Sequence, residues 1–236
     1  MKFLDLAKLG RTSLGLYLGG VALLVILYIL GNLPLLLDLQ YNYKGLLFDP
    51  ENPMFISTYG SVRLLFAMLL PFVLVFVGLV LYLRYAHQRP FLTIFTAAAQ
   101  FRWKRFLSFG AVLVVLFLLL ALAEALLLGQ TKELIWNFNA EHFFPLLLVA
   151  LLMVPFQAAA EEIIFRAYAL QGLYLRTKSA WASILISALL FAFMHISNPE
   201  IAAMGYELLL YYLMAGIFLA LISVQDDGLE LALAFH

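Results

Sequence analysis

The sequence contains no cysteine and few charged residues. Without cysteine there can be no disulfide bond and no thiolate chemistry, so histidine and carboxylate side chains would have to hold any metal. Only 12% of the 236 residues are charged and 65% are hydrophobic. A soluble domain is about a quarter charged and about half apolar. The composition therefore indicates an integral membrane protein.

The sequence also lacks net charge. Fourteen basic and fourteen acidic residues give a formal net charge of zero, so bulk charge points to no nucleic-acid or acidic partner. One local cluster, Phe101–Arg105, is both basic and aromatic, and we interpret it as an anchor at the level of the lipid headgroups. We therefore expect the chain to partner the lipid bilayer and no nucleic acid.

Long uncharged runs predict an all-α fold, a polytopic membrane helical bundle formed by one transmembrane domain of residues 1–236. A bilayer core about 30 Å thick needs about 20 apolar residues per helix. We expect an N-terminal interfacial helix, six complete spans and the start of a seventh. The predicted spans are residues 12–37, 64–83, 106–128, a fourth that starts at His142 and runs through Pro155, 180–198 and 208–225, and the seventh begins at 229.

Basic residues are unevenly distributed among the connections between these spans. They concentrate in the N-terminal segment and in the loops after the second and fourth spans. Because basic loops remain on the cytoplasmic side, we expect a multi-pass protein of the cell membrane with its N-terminus in the cytoplasm.

Polar residues interrupt two of the apolar runs. Inserting a charged side chain at the centre of a span costs about 2.5–3.5 kcal/mol of free energy, so charged residues inside a span indicate a functional site. Glu162 and Arg166 are four apart and share a helix face, which predicts a structural ion pair. Glu161 points in another direction, because adjacent helical residues diverge by about 100°. We interpret Glu161 as a general base.

Spacing from the turn at Lys178 relates Glu161 to a histidine. Glu161 and His195 each lie 17 residues from Lys178. Two regular antiparallel helices would place both about 25 Å from that turn, at one level of the bundle. Phe191 precedes His195 by one helical turn, so we expect it to line the same pocket.

His236 is the third candidate site residue. It lies about 12 Å beyond the turn at Gly228, so it reaches the same level only if the fourth and fifth helices overhang the bilayer or the helices tilt. The run from Glu141 to Leu175 would be about 50 Å long, which makes such an overhang plausible.

These motifs resemble the CAAX-protease and bacteriocin-processing family (CPBP, or Abi) of intramembrane endopeptidases. The resemblance covers roughly residues 100–236 and implies N-terminal spans in 1–100 and a CPBP-like catalytic core in 101–236. The third family motif is His-x-x-x-Asn (or Asp), and the sequence ends at its histidine, so we expect the core to be truncated there. The matching motifs are Glu161-Glu162-x-x-x-Arg166, Phe191-x-x-x-His195 and His236 after Asp-Asp-Gly-Leu-Glu-Leu.

The resemblance implies a type II, CAAX-type endopeptidase that cleaves a membrane-associated peptide or protein. In that mechanism a water lies between Glu161 and His195, Glu161 takes its proton, and His236 stabilises the oxyanion. We expect no required cofactor. The alternative is a Zn²⁺ ion held by Glu161, His195 and His236, although the HExxH signature is absent.

Two non-proteolytic functions compete with this interpretation. The first is a bacteriocin self-immunity protein that binds a peptide without cleaving it. The second is a proton-coupled transporter that uses Glu161 as its carrier. Six or seven spans without paired halves or symmetric broken helices argue against the transporter.

Overall fold

The computed structural model describes residues 2–43, 53–127 and 138–236, and its regular elements in this part of the chain are all helices, which confirms the all-α prediction. Short 3₁₀ helices cover Phe3–Leu9 and Phe91–Ile94, and a π-helical segment covers Ile163–Leu170. The α-helices are α1 (Leu14–Asn42), α2 (Pro53–Tyr59), α3 (Ser61–Tyr85), α4 (Trp103–Leu127), α5 (Ala140–Glu162), α6 (Gln171–Thr177), α7 (Ala180–Met194), α8 (Pro199–Met204), α9 (Leu208–Gln225) and α10 (Glu230–Phe235).

Five helical segments in the described part of the chain are long and apolar enough to cross a membrane. They are α1, α3, α4, the continuous run Ala140–Thr177 and α9. The predicted fifth span is a shorter apolar helix, α7, which ends at Met194 because the chain turns at residues 195–197. The count of six complete spans therefore stays a prediction, whereas the polytopic helical class is confirmed.

Helix α4 illustrates why these helices belong in lipid. None of its residues is buried, although its sequence is almost entirely leucine, valine, alanine and phenylalanine. A helix that is apolar on every side is stable only in an apolar environment. Its outward-facing side chains include Val112, Leu116 and Phe117, each with about half or more of its surface exposed.

The chain divides into two compact units. The first contains Met1–Gly20, Leu79–Val112 and Glu161–His236, and it holds every predicted site residue. The second contains Val21–Gly78 and Leu113–Ala160, with a core that includes Phe55, Tyr59 and Leu64. The proposed division into N-terminal spans and a catalytic core concerns function, and it stays a prediction.

The N-terminal helix differs from the expected interfacial helix. It is a 3₁₀ helix, and its apolar side chains pack inside the first unit, with Phe3 and Leu6 only 0% and 2% exposed. The helix contacts α6. Phe3, Leu4, Leu6 and Ala7 therefore face protein, while Lys8 remains on the outside and pairs with Asp5 at 2.5 Å.

Small residues allow the two helices at the centre of the first unit to pack closely. Helix α7 packs on α9, and a Cβ atom on Gly216 would lie only 3.0 Å from the Cα of Ala188. Close approach through small residues is a common way of joining membrane helices. The contact brings the beginning of α9 beside the end of α7, where His195 lies.

Candidate active site

A buried ion pair forms the base of the site. Arg166 Nη1 donates to Glu162 Oε1 at 3.0 Å, and both side chains are at most 1% exposed. This is the pair predicted from the spacing of four residues. Since each charge neutralises the other in an apolar interior, the pair stabilises two groups that would be costly alone.

The helix that carries this pair changes its geometry at the glutamates. After Glu162 the α-helix becomes π-helical over Ile163–Leu170 and returns to α-helix at Gln171. A single π-helical turn is rare, and such turns occur frequently at functional sites. The change alters the phase and rise of the residues between Glu161 and the turn at Lys178, a stretch that the sequence analysis treated as a regular α-helix.

Side chains from other elements bind carbonyl groups of the π-helical segment. Ser187 on α7 donates to the carbonyl of Phe165 at 2.7 Å. Arg89 Nη1 donates to the carbonyl of Ala167 at 3.1 Å. Arg89 is only 2% exposed, and burial lowers its pKa to about 10. These two donors bind backbone carbonyls of the π-helical segment and so help to fix it in place.

His236 lies against both glutamates. Its Nδ1 is 2.8 Å from Glu162 Oε1, and its Nε2 is 3.6 Å from Glu161 Oε2. A carboxylate paired with arginine is an acceptor, so Nδ1 carries the proton and donates it to Glu162. The Nε2 atom therefore faces Glu161. The His236 side chain is 22% exposed and that of Glu161 is 12% exposed, so neither is fully enclosed by protein.

His195 lies at the end of α7 and has different contacts. Its Nδ1 is 2.7 Å from the carbonyl oxygen of Phe191, which can only accept, so Nδ1 carries the proton and Nε2 is the free nitrogen. The ring stacks on Tyr212, with centroids 4.1 Å apart. Tyr212 in turn donates to Glu200. This hydrogen bond holds the pKa of the Glu200 carboxyl below its usual range.

Phe191 connects the two parts of the site. Its ring lies 4.6 Å from the His195 ring and 4.8 Å from the Arg166 guanidinium carbon. It also contacts Phe165 edge to face at 5.1 Å. With 4% of its surface exposed, Phe191 packs between the ion pair and His195. Its predicted place beside the site is consistent with these contacts.

The candidate metal ligands do not assemble into a metal-binding group. Within residues 2–43, 53–127 and 138–236, no three histidine or carboxylate side chains are placed to hold a metal ion. Glu161 Oε2 and His236 Nε2 lie 3.6 Å apart, whereas His195 bonds the Phe191 carbonyl and its ring stacks on Tyr212. As placed in this structure, Glu161, His195 and His236 therefore do not form a Zn²⁺ site.

The sequence analysis missed an ionic cluster that holds the base of α10. Arg102 binds Glu230 and Asp226, and Arg105 also pairs with Asp226. The two arginines belong to the segment interpreted as a headgroup anchor, of which Trp103 and Lys104 are exposed. The acidic residues next to Gly228, on the same side as this basic loop, were the signal that could have revealed the cluster.

Apolar helices around a buried Glu–Arg–His centre define a polytopic membrane protein with a polar site in its interior. Residues 141–236 match the family model described as type II CAAX prenyl endopeptidase Rce1-like. The resemblance drawn from the motifs is thereby confirmed in the C-terminal part of the chain. At the level of the family, the match supports an intramembrane endopeptidase and a multi-pass membrane protein.

A similar protein is the uncharacterized protein YyaK of Bacillus subtilis (strain 168). The two are 28% identical over 238 residues, an alignment that covers 96% of this chain and 76% of YyaK. The similarity thus extends over the N-terminal helices as well as the site. No solved structure matches the chain.

Proposed function

We propose that this protein hydrolyses a peptide bond of a membrane-associated substrate with a water molecule activated by Glu161. The observation that carries the proposal is the His236 ring, which bridges Glu162 at 2.8 Å and Glu161 at 3.6 Å. Glu162 is neutralised by Arg166 and Glu161 faces His236 Nε2, so we assign the role of base to Glu161. The match to CAAX-type endopeptidases supports the same chemistry.

The arrangement can hold a water molecule next to the base. Glu161 Oε2 and His236 Nε2 are 3.6 Å apart, so one water can lie within hydrogen-bond distance of both. Glu162 Oε2, Arg166 Nε and Arg166 Nη2 are buried without a protein partner in the described part of the chain. These atoms have hydrogen-bonding capacity left for water or substrate.

In the proposed reaction Glu161 takes a proton from this water, and the hydroxide attacks the peptide carbonyl carbon. The carbonyl oxygen becomes an oxyanion, which a protonated imidazole stabilises in the apolar surroundings. Glu161 then passes the proton to the leaving amine, so that water and peptide yield an acid and an amine. An imidazole donates to the oxyanion only when Nε2 carries a proton, so His236, which lies beside Glu161, or His195 as the second candidate, would make this contact in the protonated form.

The substrate and the location are part of the proposal. The class we assign is a peptide or protein held at the membrane, with a prenylated CAAX-type substrate as one member. The basic loops support a location in the cell membrane with the N-terminus in the cytoplasm. Since the chain has no cysteine, single cysteines introduced at Lys2 or Lys178, and for the opposite side at Ser57, allow labelling of intact cells to test this orientation.

The test of the function is cleavage of quenched fluorescent peptides, with and without a lipid group, by the purified protein in detergent. Glu161→Gln should lower kcat/KM by about 10²–10⁴, the usual contribution of a general base. Glu141→Gln is the matched control, since it removes an exposed carboxylate from the same helix. Equal cleavage by Glu161→Gln and its parent would refute the mechanism.

The same variants separate the proteolytic function from the alternative. A bacteriocin self-immunity protein would bind peptide without cleaving it. Its protective effect in a host would then survive Glu161→Gln. That pair of results would replace the proposal with a peptide-binding function.

A further inference from the structure

An ionic clamp holds the segment that leads to His236. Arg102 Nε donates to Glu230 Oε1 at 3.0 Å, and Nη2 donates to Glu230 Oε2 at 2.7 Å. The Arg102 backbone N–H also donates to Glu230 Oε1, at 3.1 Å. A two-pronged pair of this kind fixes direction as well as distance. Glu230 is fully buried, and its hydrogen bond raises the pKa of Arg102 above the usual range.

Further bonds hold the turn that precedes α10. Arg102 Nη2 donates to Asp226 Oδ2 at 2.7 Å, and the Leu229 N–H donates to the Phe95 carbonyl at 2.7 Å. The Phe3 N–H donates to Asp227 Oδ1 at 2.7 Å. The turn is therefore held by two separate parts of the chain, the 95–105 loop and the N-terminal helix. Gly228 leaves room for the clamp, because a Cβ atom there would collide with both Arg102 and Glu230.

The clamped turn and the site are joined by a short helix. Helix α10 covers only Glu230–Phe235, and His236 follows directly, with its N–H donating to the Ala232 carbonyl at 3.0 Å. Six residues at 1.5 Å each make a strut about 9 Å long. One end of the strut is fixed at Arg102, and the other end inserts the imidazole between the two glutamates.

We infer that Arg102 is a positioning residue that, through Glu230 and α10, sets the place of the His236 ring against Glu161 and Glu162. The inference rests on the proposed function for its effect on cleavage. The position of the His236 ring itself can be tested without measuring cleavage. Displacing a catalytic group by about 1 Å can cost about a hundredfold in rate, so the clamp would control turnover without contacting substrate.

The kinetic test is a double-mutant cycle in the full chain. Arg102→Gln should lower kcat tenfold or more with little change in KM. Adding Arg102→Gln to His236→Gln should change kcat less than about twofold, because the residue through which Arg102 acts is already gone. Arg102→Lys keeps the charge but not the two-pronged contact and should retain intermediate activity. Lys104→Gln, an exposed neutralisation two residues away, is the matched control and should leave kcat unchanged.

A second readout does not depend on cleavage. Diethylpyrocarbonate modifies accessible imidazoles, and mass spectrometry can follow His236 relative to His142, an exposed histidine in the other compact unit. Arg102→Gln should raise the labelling rate of His236 several-fold over that of Lys104→Gln and parent. The inference is overturned if His236 is labelled at the same rate in Arg102→Gln as in Lys104→Gln. It is also overturned if Arg102→Gln lowers kcat by the same factor in the parent and in His236→Gln.

If the proposed function is wrong, the experiments give a different set of results from those that overturn the positioning role of Arg102. If His236→Gln cleaves as fast as the parent, the catalytic role of His236 fails. If labelling of His236 still rises in Arg102→Gln, the positioning role is nevertheless supported.

Discussion

The His236 ring and the Glu162 carboxylate, 74 residues apart in the sequence, are joined by a hydrogen bond of 2.8 Å. The same carboxylate oxygen accepts from Arg166 at 3.0 Å. Glu162 Oε1 therefore accepts hydrogen bonds from both Arg166 and His236, so the ion pair that stabilises the fold also positions the histidine.

Glu162→Gln should destabilise the protein strongly. It leaves the buried Arg166 guanidinium without its counter-charge, and removing one partner of a buried pair costs about 3–5 kcal/mol. Thermal unfolding in detergent should show a fall in Tm that Glu141→Gln, the exposed control on the same helix, does not cause. An unchanged Tm would mean that the pair contributes little to the folded state.

Ser187→Ala should destabilise the protein by about 1–3 kcal/mol, because the buried Phe165 carbonyl loses its donor from α7. Ser223→Ala is the matched control. Its buried hydroxyl bonds the Leu219 carbonyl within its own helix at 2.7 Å, where the helical backbone also supplies a donor. Tm should therefore fall more for Ser187→Ala than for Ser223→Ala. The reverse order would refute the role given to Ser187 in holding the π-helical segment.

The hydrogen bond from Tyr212 should make a pH-dependent contribution to stability. It lowers the pKa of Glu200 below the ordinary 4.5, so its contribution is present above 4.5 and is lost as the pH falls through the folded-state pKa. Since Glu200 is partly exposed, the effect should not exceed about 1 kcal/mol. The Tm difference between parent and Tyr212→Phe should shrink from neutral to acidic pH.

Tyr211→Phe is the control for this measurement, because Tyr211 is the exposed neighbour on the same helix. A Tm difference between parent and Tyr212→Phe that stays constant with pH would show that the contribution of Tyr212 to stability does not depend on the ionisation of Glu200.

Removal of metal should leave cleavage unchanged. The candidate ligands Glu161, His195 and His236 do not form a three-ligand group in the described structure. Cleavage by parent protein should therefore persist in excess EDTA or dipicolinate. Activity that is lost in chelator and restored by added Zn²⁺ would contradict this prediction and require the three side chains to move together.

Contacts could be predicted from the sequence where they are local. Glu162 and Arg166 are four residues apart on one helix, so the spacing alone predicted their pair. The placement of the histidines depended on regular helices between Glu161, Lys178 and His195. The π-helical segment breaks that assumption, because its wider turns change both rise and phase.

Long-range partners were not predictable from spacing. Arg102 meets Glu230 across 128 residues, and the motif around each residue does not indicate the other as its partner. Which of several basic side chains in a loop binds which acidic side chain depends on how the turn before α10 packs on that loop. That packing follows from the whole fold.

By itself the sequence determined the membrane class and the all-α fold, and it singled out the residues proposed for the site. These follow from composition, from runs of apolar residues and from the cost of polar groups in lipid. Only the tertiary structure decided that His236 bridges the two glutamates, that Phe191 separates Arg166 from His195, and that Arg102 holds α10. Each of these depends on contacts between distant segments, whose energies act only after the helices have packed.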